Sequence, residues 1–281
     1  SDGINVIETD ALAINDIISL TDGTKAVSVQ TVQADATTST TTETTQSDLL
    51  TTNLNGDNGS IVVRTIAGSI TLSEGTATTD LDTDAAVIAH GSGKILLQAS
   101  GALTDIVANA NADIQSSTGH ITLKAPQTID LAASVDVTTA GTGTQDLVAT
   151  TGSILMATPA TLNTVNGDIR LTAGNDVLDQ VVIGDITASN ANAAISTPGS
   201  ILDADTAGDS DIDVTARGLR LDAGKGIGQL DGNSIAPLVT NAIETTIGTL
   251  SAIARGSDGI NVIETDALAI NDIISLTDGT K

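Results

Sequence analysis

Aromatic residues and cysteine are missing from this chain. Its 281 residues include no Phe, Tyr, Trp or Cys, and Met156 is the single methionine. Aromatic side chains supply the largest single burials in most compact cores, so this core must consist of Ile, Val, Leu and Ala. Without cysteine the chain has no disulfide, no thiolate metal ligand and no cysteine nucleophile. We therefore expect the thin aliphatic core of an elongated fold rather than the core of a globular enzyme.

Basic residues are scarce as well. Ten Lys and Arg residues stand against 35 Asp and Glu residues, which gives a formal net charge of −25. Nucleic acids and anionic membranes are bound through basic surfaces, so neither is an expected partner. No apolar run reaches the 18 or more residues of a membrane span. Because 40% of the residues are hydrophobic, the acidity predicts a charged, solvated surface rather than disorder.

One long segment occurs twice. Residues 1–25 and 257–281 are identical, SDGINVIETDALAINDIISLTDGTK, and the second copy starts 256 residues after the first. Self-similarity at a fixed period is typical of repeat architectures. The sequence therefore predicts that residues 1–256 are one complete repeat unit, that residues 257–281 open the next one, and that both belong to a longer tandem array.

A short motif recurs along the chain: glycine, a polar residue, isoleucine, any residue, then an apolar residue. In a strand the isoleucine and the second apolar residue point to the same face, and we expect the glycine to supply a positive φ at a corner. The clearest instances are GSIVV (59–63), GSITL (68–72), GKILL (93–97), GHITL (119–123), GSILM (152–156) and GDIRL (167–171), with GDITA (184–188) and GSILD (199–203) as weaker ones.

These motifs predict an all-β protein. Turn residues separate nearly all the short strands, and no convincing helix of ten or more residues emerges. A β-sandwich is one arrangement of such strands, but sandwiches of the immunoglobulin type usually have a core aromatic residue. The sequence favours a parallel β-helix, with roughly 20–26 residues per coil and about ten to twelve coils in one unit.

Residues 36–47, ATTSTTTETTQS, interrupt the pattern because they are rich in threonine and have no apolar residue beyond Ala36. We expect a solvated, exposed loop there. An O-glycosylated or ligand-facing protrusion is the alternative.

Two acidic groups are candidates for calcium binding. They are Asp80, Asp82 and Asp84, and then Asp203, Asp205, Asp209, Asp211 and Asp213. Asp203 stands where the strand motif expects a leucine. Neither group matches an EF-hand loop or a calcium-binding nonapeptide repeat, and solvated acidic turns explain both groups without a metal.

Catalytic patterns are absent from the sequence. There is no nucleophile elbow, Walker loop or HExxH motif, and His90 and His120 lie in turn contexts. A carbohydrate-active β-helix would need clustered carboxylates and usually aromatic platforms for the sugar rings. We predict that the chain is not an enzyme, that it has no catalytic or cofactor-binding residue, and that calcium is the one ligand to consider.

Residues 227–268 contain a further sequence pattern. Ile227-Gly228 leads to Pro237-Leu238, and Gly259-Ile260 opens the run Ile-x-Val-x-Glu-x-Asp-Ala-Leu at residues 260–268. Together with GSITL and GDIRL, this stretch resembles filamentous-haemagglutinin-like giant repetitive bacterial surface proteins. The resemblance implies a right-handed parallel β-helix, export to the bacterial cell surface, and a role in adhesion or surface filaments.

The sequence thus predicts a structural or adhesive extracellular filament. Its expected partners are further copies of the same repeat end to end, neighbouring filaments in lateral bundles, and a cell-surface or glycan receptor. An array of calcium-stabilised β-sandwich adhesin modules and a carbohydrate-active β-helix enzyme are the alternative predictions.

Overall fold

The structure is a computed structural model that describes residues 3–17, 27–42, 47–51, 58–75, 85–205, 211–230 and 241–273. These residues form no helix and 25 strands. In chain order the strands are β1 (Ile4–Glu8), β2 (Leu12–Ile14), β3 (Ser28–Val32), β4 (Thr38–Thr42), β5 (Leu49–Thr51), β6 (Ile61–Thr65), β7 (Ile70–Leu72), β8 (Ala85–Ala89), β9 (Ile95–Gln98), β10 (Ile106–Ala108), β11 (Asp113–Ser116), β12 (Ile121–Ala125), β13 (Ile129–Leu131), β14 (Asp136–Thr139), β15 (Gln145–Ala149), β16 (Ile154–Met156), β17 (Thr161–Thr164), β18 (Ile169–Ala173), β19 (Val181–Ile183), β20 (Asp185–Thr197), β21 (Ile201–Asp203), β22 (Val214–Ala223), β23 (Ile243–Ala254), β24 (Val262–Glu264) and β25 (Ala269–Ile270).

The strands form three parallel faces. Face 1 contains β1, β6, β9, β12, β15, β18, the second halves of β20, β22 and β23, and β25. Face 2 contains β2, β7, β10, β13, β16, β19 and β21, followed by the single residues Ile227 and Ile260. Face 3 contains β5, β8, β11, β14, β17, the first halves of β20, β22 and β23, and β24.

The chain visits face 1, face 2 and face 3 in turn, so each circuit is one coil stacked on the previous coil. This architecture is a parallel β-helix, as the sequence predicts. The long strands β20, β22 and β23 bend from face 3 into face 1, which joins these two faces into one hydrogen-bonded sheet. Because the stacked strands are parallel and one coil apart, the β-sandwich alternative is wrong.

The core is a set of aliphatic columns. Leu97, Leu123, Leu147 and Leu171 occupy neighbouring rungs of face 1 and are fully buried. Since the rungs are about 4.8 Å apart, this column takes one leucine per coil and needs no aromatic residue.

Coil length varies because some turns carry excursions. Ile121, Gln145, Ile169 and Ala193 hold one rung position at intervals of 24 residues. By contrast, residues 15–48 separate β2 from β5, and the bridge between Gln229 and Asn241 closes the base of another excursion. The expected ten to twelve coils per unit is too many, because the chain reaches face 1 only nine times from β1 to β23.

The motif glycines are needed for space, not for φ. None of them has a positive φ, so the expected reason for them is wrong. A Cβ atom on Gly93 would lie 2.2 Å from the carbonyl oxygen of Gly59, and one on Gly119 would lie 1.9 Å from that of Gly93. Gly59, Gly93, Gly119 and Gly167 therefore form a column at the corner before face 1, where successive coils approach too closely for a side chain. The other motif glycines lie at the corners before face 2 and face 3.

The Thr-rich segment is not a loop throughout. Thr38–Thr42 forms strand β4, which pairs antiparallel with β3 in a hairpin that lies apart from the stack's sheets. Every residue of both strands is exposed. Threonine is β-branched and favours extended backbone, which explains the strand. Residues 43–46 lie outside the described residues.

The two copies of the duplicated segment share the turn that follows Glu8 and Glu264, but not the backbone before it, where Gly259 has a φ of 78° and Gly3 has no positive φ. In the first copy Glu8 Oε1 accepts hydrogen bonds from the backbone N of Thr9 (2.8 Å) and of Asp10 (3.3 Å). In the second, Glu264 Oε1 accepts the equivalent bonds at 2.9 and 3.1 Å. Their faces differ, however. The first copy places β1 on face 1 and β2 on face 2, whereas the second places β24 on face 3 and β25 on face 1.

Candidate functional site

Three acidic side chains meet inside the stack, and we call this group the acidic corner: Asp203, Asp213 and Glu244. Asp203 ends β21 on face 2, Asp213 directly precedes β22 on face 3, and Glu244 lies in β23 one coil later. Each offers a carboxylate oxygen within 4.8 Å of the others. Their exposed fractions are 8%, 1% and 9%, so the group is closed to a macromolecular substrate.

The coil explains how these residues come together. Asp213 and Glu244 occupy the position just before the first inward side chain of face 3. The same position is acidic in most other coils, with Thr161 between Asp136 and Asp185, and the acidic column comprises Asp113, Asp136, Asp185, Asp213 and Glu244.

Carboxylates of this column link neighbouring coils. Asp113 Oδ1 accepts a hydrogen bond from the backbone N of Asp136 (2.7 Å), and Asp213 Oδ2 accepts one from the backbone N of Glu244 (2.7 Å). These acids therefore have a structural role, which corrects the expectation that the acidity belongs wholly to a solvated surface.

The electrostatics of the acidic corner favour a bound proton. Burial, together with the nearby carboxylates of Asp203 and Glu244, raises the pKa of Asp213 to about 9 against the lowering effect of the Glu244 N–H. Burial also raises the pKa of Asp185, with help from Asp205 and Asp211. At neutral pH the Asp213 carboxyl therefore retains its proton.

The acidic corner can hold a shared proton or contribute oxygen ligands to a hard cation. Calcium takes six to eight oxygen ligands, whereas the three residues offer one grouped oxygen each. The calcium hypothesis from the sequence stays a prediction.

The acidic residues that the sequence analysis proposed for calcium binding differ in burial and position. The structure brings Asp203 and Asp213 together, and Asp203 is buried opposite Ile183, in the column where the motif expects leucine. The backbone N of Asp205 donates to Asp203 Oδ1 (2.8 Å), while Asp211 is exposed. Asp80, Asp82, Asp84 and Asp209 lie outside the described residues.

Glu244 was missed by the sequence reasoning, because it is 31 residues from Asp213. A signal for it exists: an acidic residue directly precedes the first inward residue of face 3 in several coils. That signal becomes visible only when the coil boundaries are known.

The two histidines tie coils together. His90 Nδ1 lies 2.7 Å from the carbonyl oxygen of Thr51, and His120 Nδ1 accepts a hydrogen bond from the backbone N of Thr144 (3.2 Å). His90 also lines a depression of about 250 Å³ with Gln115 and Thr138, and no carboxylate lines it. Around this depression we find no acid pair for general acid and base catalysis.

No family model, no curated protein and no solved structure matches this chain. Within the described ranges no helix is long and apolar enough to cross a membrane.

Proposed function

We propose that this chain is a structural segment of an extracellular filament or adhesin on a bacterial cell surface, in which copies of the 256-residue unit continue one coil stack. One observation carries the proposal. The duplicated segment pairs with following coils in the first copy, through β1 and β2, and with preceding coils in the second, through β24 and β25. A segment with a partner on either side belongs in the middle of a stack.

The chemistry of the described residues supports a structural role. The acidic corner is buried, the histidines bond to threonines of other coils, and the core has the uniform columns of a repeat protein. Bacterial origin and surface location rest on the sequence resemblance. Attachment to a cell-surface or glycan receptor is part of the same proposal, and the exposed hairpin β3–β4 is the first place to look for it.

Electron microscopy tests the proposal directly. A polypeptide with three tandem copies of residues 1–256 should appear as one smooth rod. With coils about 4.8 Å apart, each copy should lengthen the rod by about 40 Å. Separate beads joined by linkers would contradict a continuous filament.

The adhesive part has its own test. Beads coated with the chain should bind bacterial or host cells, or a glycan array, more than beads coated with a version lacking residues 27–42. Equal binding by both would remove the hairpin from the receptor contact, and no binding by either would leave a purely structural role.

A further inference from the structure

The junction between two copies is visible in this structure as two halves. In the first copy, residues 4–14 bond to the coil that follows them. The backbone N of Ile4 donates to Ser60 O (2.9 Å), and Glu8 O accepts from the backbone N of Ile66 (2.8 Å). The backbone N of Leu12 donates to Ser69 O (2.9 Å).

In the second copy, the equivalent residues bond to the coil that precedes them. The backbone N of Asn261 donates to Ile227 O (2.8 Å), and Asn261 O accepts from the backbone N of Ile243 (3.1 Å). The backbone N of Asn271 donates to Leu250 O (3.2 Å).

The two sets of hydrogen bonds use different atoms. Toward the following coil the segment uses the N of Ile4 and Leu12 and the O of Glu8, at even positions, and also the O of Thr9. Toward the preceding coil it uses Asn261, Asn271 and the N of Thr265, which correspond to positions 5, 15 and 9. In a parallel ladder alternate residues bond to opposite neighbours, so both sets can form at once.

The turn count gives the geometry of the junction. From β1, face 1 is reached eight more times, in β6, β9, β12, β15, β18, β20, β22 and β23. Strand β24, equivalent to residues 6–8, then lies two faces later, on face 3, and β25 has the same offset from β2. Ile260, equivalent to Ile4, lies only one face later, on face 2, because the second copy bends between positions 4 and 6 where β1 continues along one face. Measured from strand to strand, the 256-residue unit therefore spans eight and two-thirds turns, not a whole number.

We propose that the edge of residues 260–270, which pairs only with preceding coils among the described residues, is the docking surface for the next copy, through the segment equivalent to β6 and β7, and that the strands of each copy are rotated by one face relative to the copy before it. This inference rests on the proposed function, because it concerns consecutive copies in one stack. With three faces the rotation is a third of a turn, so equivalent surfaces return to the same side after three copies.

The rotation decides where the exposed hairpin lies. Strands β3 and β4 leave the stack between face 2 and face 3 in the first copy. In the next copy the same excursion leaves between face 1 and face 2. An array thus presents its hairpins on three sides rather than in one row, and a receptor or a neighbouring filament meets one on any side.

Disulfide trapping in the 281-residue chain tests the rotation, since the chain has no native cysteine. Residue 270 pairs with residue 250, so Leu250→Cys with Ile270→Cys should cross-link under mild oxidation. A unit with a whole number of turns would instead place residue 260 on residue 250, as Ile4 is placed on face 1. Leu250→Cys with Ile260→Cys should therefore stay reduced.

A second cysteine pair provides a control in case the first variant fails to fold. Residue 260 forms a bridge with residue 227, so Ile227→Cys with Ile260→Cys should also cross-link. Far-ultraviolet circular dichroism should show the strand signal in all three variants. Cross-linking of 250 with 260, or of neither expected pair in folded protein, would overturn the rotation.

The three-copy rod separates this inference from the proposed function. With Thr40→Cys in each copy and a gold label, the labels should step around the rod by a third of a turn. A smooth rod with labels in one line would overturn the rotation and keep the continuous filament. Beads would overturn the filament itself.

Discussion

At the scale of single residues, the corners of the coil depend on small side chains and buried hydroxyl groups. Ser116 Oγ donates to Gly93 O (2.7 Å), and Thr139 Oγ1 donates to Gly119 O (2.7 Å). Both hydroxyls are buried, so each satisfies a corner carbonyl that water does not reach. The glycine gives the coils room to approach, and the hydroxyl supplies the missing hydrogen bond.

The substitution Gly119→Ala should destabilise the stack. Its Cβ atom would meet the Gly93 carbonyl oxygen at 1.9 Å, and backbone cannot move aside as a flexible side chain can. We expect a loss of about 1–3 kcal/mol, as for other overpacked sites. Gly248→Ala is the milder matched change because its Cβ atom would lie 3.1 Å from Arg217 O, so a shift of a few tenths of an ångström accommodates it. Urea unfolding followed by circular dichroism should show a lower midpoint for Gly119→Ala than for Gly248→Ala; equal midpoints would refute the packing argument.

The buried carboxyl of Asp213 should make stability depend on pH. Its pKa is raised to about 9 in the fold, against about 3.9 in an unfolded chain. The folded state therefore binds the proton more tightly, and stability falls as pH rises from about 4 to about 9. In Asp213→Asn the amide oxygen can still accept from the backbone N of Glu244, but no charge develops.

Melting temperatures measured from pH 4 to pH 9 check this sign. The difference between Asp213→Asn and the wild type should grow with pH in favour of the variant. Asp211→Asn is the control, since Asp211 is exposed and only two residues away. Parallel curves for wild type and Asp213→Asn would show that Asp213 titrates normally.

At the scale of elements, the motif predicted strands well and their faces poorly. Each Gly-x-Ile instance does begin a strand, because alternation over three to five residues is a local property. GSIVV, GSITL and GDITA nevertheless lead into face 1, face 2 and face 3 respectively. Their irregular spacing in the sequence arises because the motif marks more than one corner of the coil and because excursions of unequal length separate the coils.

The acidic corner shows the same limit. Asp203 and Asp213 could be grouped from sequence because ten residues separate them and Asp203 breaks an aliphatic column. Glu244 could not be grouped with them from sequence. Its position depends on the coil register and on the length of the excursion between residues 228 and 242. The burial of Asp203 and Asp213 could not be predicted from sequence either, since an acidic run in a polar stretch predicts a solvated turn.

The hairpin β3–β4 should be dispensable for folding. Ser28 pairs with Thr42, so the two ends of the hairpin are adjacent, and every residue in both strands is exposed. Replacing residues 28–42 by a four-residue Gly-Ser linker should shift the melting temperature by no more than about 2 °C, as for surface changes generally. Leu171→Ala, in a fully buried column, is the contrasting change and should cost about 2–5 kcal/mol. A large loss from the hairpin replacement would mean that the hairpin stabilises the stack.

At the scale of the whole molecule, charge should govern association between the proposed rods. The net charge of −25 repels neighbouring rods within a Debye length of about 8 Å at physiological salt. Divalent cations can bridge carboxylates on two rods, whereas monovalent salt only screens them. We expect millimolar calcium to increase light scattering more than sodium at equal ionic strength.

The structure indicates which acidic residues can bind calcium between two rods. Asp203 and Asp213 lie inside the stack, so the exposed Asp211, Asp258 and Asp266 are the bridging candidates. Replacing these three by Asn should weaken the calcium response, and Asp213→Asn should leave it unchanged. Identical curves for calcium and sodium would assign the exposed acids to solubility alone.

The parallel stacking of coils also determines how a filament would yield when pulled. The hydrogen bonds between coils run along the axis of the stack, so tension applied to its two ends loads the coils in series, and the weakest coil detaches first. A regular coil of 24 residues would release about 80 Å of extended chain for about 4.8 Å of lost rod. A cell tethered by such a filament would therefore experience a limited force while the filament lengthens by the unfolding of one coil after another.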